Sequence, residues 1–362
     1  MRPRATGEPN IIARFAFRPD ALLIALPVTM DGEEHLFILD TAATWCVFDE
    51  SLRHRLGDSV GSQVAGTADK PTRFNLYSPP NASLGPIDLG EGGPVVCFDM
   101  TMIRYSTGLD VRGIVGMSVL RDYVVQIDPD HSEVRFLESD HGAYPEWGEA
   151  IPLKMRHGAP FVPARLPPDS ESEFLLDTAM ARSVGLPEPV FDKVVRELDL
   201  TTVDALAATA AGTMFYREAR LPVVTVGSFV CEDLILGRTS VPTLGWGWMR
   251  RFRATLDFPG RKMYLVKGTE WGECDEADMS GLHLLRVRGR TVVHTVDEGS
   301  PAEEAGIRPN DIILSVNGIA APAAEIWELR DVLQREDGKQ ITLVLRRDGT
   351  ETTVRFRLRR RI

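Results

Sequence analysis

Apolar residues in this chain fall in short runs broken by Gly, Pro and Asp rather than at helical spacing. Runs of that kind, rich in β-branched and aromatic residues and bounded by turn formers, predict a mostly β chain with a few short helices. Strands are predicted at residues 15–17, 22–28 and 37–39, and helices at 49–56 and 188–198. Near the C-terminal end, a strand at 311–316 runs into Asn317-Gly318, a hairpin-type turn. A helix at 323–334 and strands at 341–345 and 352–358 follow. In the last of these, Val354, Phe356 and Leu358 alternate with Arg355, Arg357 and Arg359, the pattern of a half-buried strand with a wet basic face.

The pattern repeats. FILDTAA places Asp40 and FLLDTAM places Asp177 at the end of an apolar run, each opening an Asp-Thr-Ala turn. VFDESLRHRL from Val47 is matched by VFDKVVREL from Val190, VAGT from Val64 by AAGT from Ala210, and VVCFDM from Val95 by FVCEDL from Phe229. The segment around Gly116 superposes without a gap on the segment around Gly245, so that Leu120 meets Met249, Ile127 meets Leu256 and Asp128 meets Asp257. These matches describe an internal duplication, with HGAYPEWGEAIP from His141 as a Gly- and Pro-bearing linker between the copies. Asp128 and Asp257 each precede a turn and are read as hairpin formers.

Beyond the Gly-Thr-Glu-Trp-Gly-Glu stretch, read as a second linker, the character changes, and removal of residues from about Asp275 is expected to leave a folded body. Ser300 and Pro301 suit a helix start, and Gly306 suits its end. With the strand and Asn317-Gly318 turn that follow, residues 278–360 resemble a PDZ domain of the bacterial, protease-associated kind. The resemblance implies that Gly281, Leu282, His283 and Leu284 form the loop and strand that grip a peptide C-terminus. His283 departs from the apolar family loop.

Composition narrows the function. A net charge of −11 over 362 residues argues against nucleic acid as a partner. No stretch approaches the roughly 18 apolar residues of a membrane span. The segment ALLIALPVTM contains Pro27 and leads into a turn, so it reads as a strand rather than a signal peptide, and a cytoplasmic chain is expected. Four cysteines make no disulfide framework, and Cys97 and Cys231 are read as equivalent positions of the repeat. The seven histidines form no metal-ligand pattern, and neither a metal nor a cofactor is expected. P-loop, dinucleotide and nucleophile-elbow motifs are absent from the sequence.

What remains is the pair of carboxylates. Within each copy the order is strand, Asp-Thr-Ala turn, a glycine in a predicted hairpin, then apolar-apolar-Gly (Ile114-Val115-Gly116; Thr243-Leu244-Gly245). That order resembles the retropepsin-like aspartic peptidases, in a single-chain, two-lobed arrangement. The resemblance implies two pseudo-symmetric β-barrel lobes, residues 10–140 and 148–268, followed by the PDZ domain at 278–360. It implies an aspartic-type endopeptidase, a monomer acting on peptide or protein, with Asp40 and Asp177 as the catalytic dyad. Thr41, Thr178, Ala42 and Ala179 would support the dyad, and Gly66 and Gly212 would sit in flaps over the substrate, with Phe74 or Tyr77 in one flap. A catalytically inactive peptide-binding protein on the same fold is the alternative. Two carboxyls held close share a proton, so one can act as base while the other acts as acid. Ala43 and Met180 cannot donate a hydrogen bond to the pair, so its pKa values are expected to sit high. Met180, where Ala43 stands in the first copy, is expected either to crowd the pair or to fill a gap.

Overall fold

The computed structural model describes residues 10–18, 22–66, 71–139, 142, 144–167, 170–209 and 212–362. It is mostly β, as the short apolar runs predict, and its strands form four sheets. A six-stranded sheet orders Ile11–Ala16, Glu133–Leu137, Val124–Asp128, Phe252–Asp257, Lys262–Lys267 and Glu149–Pro152. Its two middle strands come from the two halves and run antiparallel, with Gln126 opposite Thr255. These are equivalent residues of the repeat, and Gln126 Nε2 donates to Thr255 Oγ1 at 2.9 Å. A pseudo-two-fold axis therefore passes between them.

Each half adds a sheet of its own, nine-stranded in the first and eight-stranded in the second. In both, the strand that ends at the Asp-Thr-Ala turn pairs in parallel with the apolar-apolar-Gly strand: Leu39 beside Val115, Leu176 beside Leu244. One continuous apolar core runs through both halves, holding Phe37, Phe48 and Phe136 together with Phe174, Phe191, Trp248 and Phe252. Burial on this scale is the main favourable term in folding. The Asp128 and Asp257 carboxylates accept from the amides of His131 and Gly260 across their turns, the hairpin role read from the sequence.

Two of the repeat matches do not survive in space. Val47–Asp49 is a strand, whereas Val190–Asp192 falls inside the helix Glu188–Glu197. The strand equivalent to Val47–Asp49 is Val184–Leu186, which also follows the Asp turn and pairs with the next glycine strand. Cys97 lies opposite Phe48, but Cys231 lies opposite Val224 in a hairpin, and the segment that flanks Val184–Leu186 in parallel is Leu236–Arg238. The two cysteines are not equivalent. The predicted helix at 49–56 is a 3₁₀ segment, Glu50–Arg55, capped by Asp49, whose carboxylate also holds Arg104 at 2.7 Å.

The C-terminal sheet orders Leu282–Val287, Arg290–Val296, Ile312–Val316, Gln340–Arg347 and Thr350–Arg357, with Ile319–Ala320 added beside Ile312–Val316, and it encloses a separate core. Its turns follow the sequence closely. Ser300 Oγ accepts from the Glu303 amide at 3.2 Å, and Asn317 and Gly318 adopt φ of 48° and 86°, the left-handed pair such a hairpin requires. The helix is shorter than predicted, Ile326–Val332, because Glu325 and Glu328 form a capping box at its start.

Where described, both linkers are packed. Of the first, residues 141 and 143 lie outside the described residues, and the remainder packs Tyr144 on Trp147 and Trp147 on Tyr264. In the second, Trp271 packs against Phe229 and Phe252. Arg251, only 2% exposed, donates to the Glu273 carbonyl at 2.8 Å and to the Asp275 carboxylate at 2.9 Å. A cut at Asp275 would strand that arginine, so the sequence-based truncation point is corrected: the strap belongs to the second half. Among the described residues no helix is long and apolar enough to cross a membrane.

Candidate functional site

The two Asp-Thr-Ala turns meet at the pseudo-two-fold axis and lock reciprocally. The Thr41 amide donates to Thr178 Oγ1 at 3.1 Å, and the Thr178 amide to Thr41 Oγ1 at 3.2 Å. Each hydroxyl passes its own proton across: Thr41 Oγ1 to the Leu176 carbonyl at 2.7 Å, Thr178 Oγ1 to the Leu39 carbonyl at 2.6 Å. Both threonines are fully buried, and both side chains are fully engaged.

The turns aim their carboxylates alike. Asp40 Oδ1 accepts from the amides of Ala42 and Ala43 at 2.8 and 3.0 Å, and Asp177 Oδ1 from those of Ala179 and Met180 at 2.9 and 3.0 Å. Behind each turn passes a glycine that no larger residue can replace. A Cβ on Gly116 would lie 2.3 Å from the Trp45 carbonyl oxygen, and one on Gly245 would lie 2.1 Å from that of Arg182. The Met180 side chain reaches over Gly245, filling the space beside the turn.

Burial pushes the Asp40 pKa upward against the pull of its two amides. Burial, and then the charge of Asp40, push Asp177 up to about 7. Both shifts run upward, and burial leads their causes rather than the missing hydroxyl donor named from the sequence. Both carboxyls are thus held toward their protonated forms relative to a free aspartate.

The aspartates open into a cleft of about 1070 Å³. Its first-half wall is apolar, with Ile38, Trp45, Phe74, Phe98 and Ile103. The second-half wall is polar: Arg182 pairs with Glu218, which also accepts from the Tyr216 hydroxyl at 2.6 Å. Sequence reasoning passed over this network, although Tyr216 and Glu218 alternate onto one face of the strand Gly212–Val226. Phe74 from one predicted flap hairpin, and Leu206 and Met214 from the other, reach the cleft. Gly66 ends the strand Ser59–Gly66 and Gly212 opens the strand Gly212–Val226, and residues 67–70 and 210–211 between the hairpin strands lie outside the described residues.

The third wall comes from the C-terminal sheet. Leu282, His283 and Leu284 line the same cleft as the aspartates, together with Trp327 and Arg330 of the facing helix. Gly281 has φ of 81° and packs against Ser300. His283 turns inward, its Nε2 2.6 Å from Asp297, which in turn holds Arg361 at 2.6 Å. Among the described residues no serine hydroxyl is hydrogen-bonded to a lysine or histidine: Ser118 meets Cys46, Ser183 meets Arg251 and Ser280 meets Asp278. No group of three or more His, Cys, Asp or Glu that could hold a metal is found among them either.

Residues 292–347 match the family model of the PDZ domain. The chain carries a PDZ domain. The chain is similar to the carboxy-terminal processing protease CtpB of Bacillus subtilis (strain 168), 27% identical over 118 residues, which is 32% of this chain and 24% of that protein. It is similar to a chloroplastic C-terminal processing peptidase of Tetradesmus obliquus, 38% identical over 64 residues, 18% of this chain and 14% of that protein. A probable CtpA-like serine protease of Staphylococcus aureus (strain COL) is 30% identical over 77 residues, 21% of this chain and 16% of its own length. The chain thus spans less than a quarter of the length of these relatives. Among solved structures, a photosystem II D1 C-terminal processing protease matches with a TM-score of 0.22 and 30% identity, covering 24% of this chain and 23% of that one.

These relatives correct the aspartic-type endopeptidase implied by the sequence resemblance. The proteins to which the PDZ-bearing chain is similar carry the names of C-terminal processing and serine proteases.

Proposed function

We propose that this chain is a peptide hydrolase whose cleft receives a peptide between the Asp40–Asp177 pair and the PDZ domain. The observation that carries it is the shared wall: the PDZ strand Leu282–Val287 and the two aspartates line one cleft. The names of the relatives, all proteases, support hydrolysis of peptides, and a PDZ domain supports peptide as the ligand. Asp40 and Asp177 are proposed as catalytic residues of that cleft. Thr41, Thr178, Ala42 and Ala179 would hold them in place. The hairpins bearing Gly66 and Gly212 would cover the bound chain, glycine letting backbone approach backbone.

Residues 10–140 and 148–268 are read as two pseudo-symmetric lobes of aspartic-protease-like build, with the PDZ domain at 278–360. The reciprocal turns and the matched parallel strand pairs support that division, and such a build does not by itself fix a reaction. Pairing of the halves within one chain supports a monomer.

The test is digestion of a random peptide library by the full chain, read by mass spectrometry, beside Asp40→Asn and Asp177→Asn. Cleavage by the unmodified chain is expected, with each variant slower by roughly 10²–10⁴-fold, the usual cost of removing a positioned acid or base. A variant that keeps more than about a tenth of the activity would remove the aspartates from the chemistry. Covalent labelling of one serine by a fluorophosphonate, with loss of activity, would place the chemistry on that serine instead.

A further inference from the structure

Six arginines line the cleft: Arg182, Arg238, Arg250, Arg330, Arg335 and Arg361. Five are held by carboxylates, in order Glu218, Glu188, Glu270, Asp331 and Asp297 for Arg182, Arg238, Arg250, Arg335 and Arg361. Arg330 has no ion-pair partner among the described residues. Its guanidinium donates one bond, to the Leu284 carbonyl at 2.6 Å, and most of its donors are left unused. It stands half-buried on the PDZ helix Ile326–Val332 with the charge of Arg182 nearby. Burial, then repulsion from Arg182, pull its pKa down to about 10, against the attraction of the Asp278 carboxylate, which makes no ion pair with it. A cation partly removed from water, beside a like charge and with no carboxylate in direct contact, gains free energy when an anion pairs with it.

The loop that the PDZ resemblance assigns to carboxylate binding is already occupied from within. Asp278 accepts from the amides of Ser280 and Gly281 and from the Ser280 hydroxyl, and Ser280 Oγ accepts from the Leu282 amide. A peptide carboxylate arriving at those amides would have to displace Asp278. Arg330, one helix away across the strand Leu282–Val287, offers instead a planar fork of free donors that matches a carboxylate.

We propose that Arg330 receives a carboxylate of the bound peptide, in place of the backbone amides of the PDZ loop. The ligand class is a peptide bearing a free α-carboxylate or an acidic side chain at that point. Anchoring there would fix which part of the peptide lies along the cleft toward the aspartates. The inference rests on the peptide-hydrolase reading for the ligand being a peptide, but its test reads binding without turnover.

The full chain carrying Asp40→Asn is incubated with an equal mixture of random decapeptides with free and with amidated C-termini, and the retained peptides are identified by mass spectrometry. A second mixture, all amidated, compares peptides with one internal Glu against the same peptides with Gln. Carboxylate-bearing peptides are expected to be enriched about tenfold or more in one of the two mixtures, the value of a charge-assisted bond pair, and the mixture that shows it identifies the source. Arg330→Gln should bring the enrichment to near one, and Arg330→Lys, which keeps charge but loses the fork, should leave part of it. Circular dichroism checks that the variants fold. Enrichment near one in both mixtures with Arg330 intact would overturn the proposal without any variant, as would an enrichment that a folded Arg330→Gln chain retains. Failure of the unmodified chain to cleave peptides would sink the hydrolase reading and leave this result standing.

Discussion

The two Asp turns and the two cleft walls beside them show different degrees of symmetry. At the threonine lock, each hydrogen bond of one half has its counterpart in the other within 0.1 Å: 3.1 against 3.2 Å for the amides, 2.7 against 2.6 Å for the hydroxyls. A few residues away the likeness ends. Where Trp45 passes behind Gly116 in the first half, Arg182 passes behind Gly245 in the second, and one wall is apolar while the other carries the Arg182, Glu218 and Tyr216 network. Contacts that reach across the axis are constrained by their own images, because a change in one half breaks a bond in the other. Contacts that face the cleft carry no such constraint. A peptide bound as proposed would therefore meet two unlike walls, which gives the cleft a direction.

The largest effects are expected where symmetry is tightest. Gly116→Ala and Gly245→Ala each place a Cβ against a backbone carbonyl and should cost about 3–5 kcal/mol in urea unfolding, the upper range of single substitutions. Tolerance at one glycine alone would mean that only one turn is clamped. Thr41→Val and Thr178→Val come next, at about 2–3 kcal/mol each, because every loss leaves a buried amide and a buried carbonyl without partners. Equal urea midpoints for the two variants are the signature of a reciprocal lock, and a cost confined to one threonine would break the comparison.

The smallest effect separates the halves. Asp177 keeps its proton up to about pH 7 when folded, against an ordinary value of 3.8. Its folded pKa is raised, so the folded chain binds more protons than the unfolded one between these limits. Stability from this group is present below about pH 4 and falls as pH rises through that window to about 7. The Asp40 carboxyl is raised as well, so urea unfolding across pH 4–8 should show proton uptake on folding, and Asp177→Asn should lower that uptake without abolishing it. A chain whose stability rises over that range, with no change in Asp177→Asn, would show that the carboxyl ionises freely.

Much of this was legible in the sequence where local chemistry decides the outcome. Asn317 and Gly318 occupy a left-handed conformation that few other residues accept, and Ser300 supplies a side-chain cap, so their positions announce the PDZ turns. The Asp-Thr-Ala repeats announced the lock, because the same strand-to-turn transition needs the same residues twice. Short motifs without such a constraint misled: VFD at Val47 is strand and VFD at Val190 is helix, since three residues do not set a backbone and their neighbours do. Trp271 and Arg251 turned a Gly-rich strap into a packed one, as only tertiary contact can. The cleft was beyond reach for the same reason. Asp40, Glu218 and Arg330 are far apart in sequence, and nothing local in any of them announces the others.

The sheet shared by the halves has a further consequence. Val124–Ile127 and Ala254–Asp257 hydrogen-bond across the boundary, and both strands are almost wholly buried. If one half melts, it bares the edge of the other, a ready template for any strand of the same kind. Unfolding of the halves is thereby tied into one event. The half that offers the identical edge is found in every neighbouring copy of the chain, so exchange of halves between two molecules satisfies the same bonds at little cost and is the assembly error to which this architecture is most exposed.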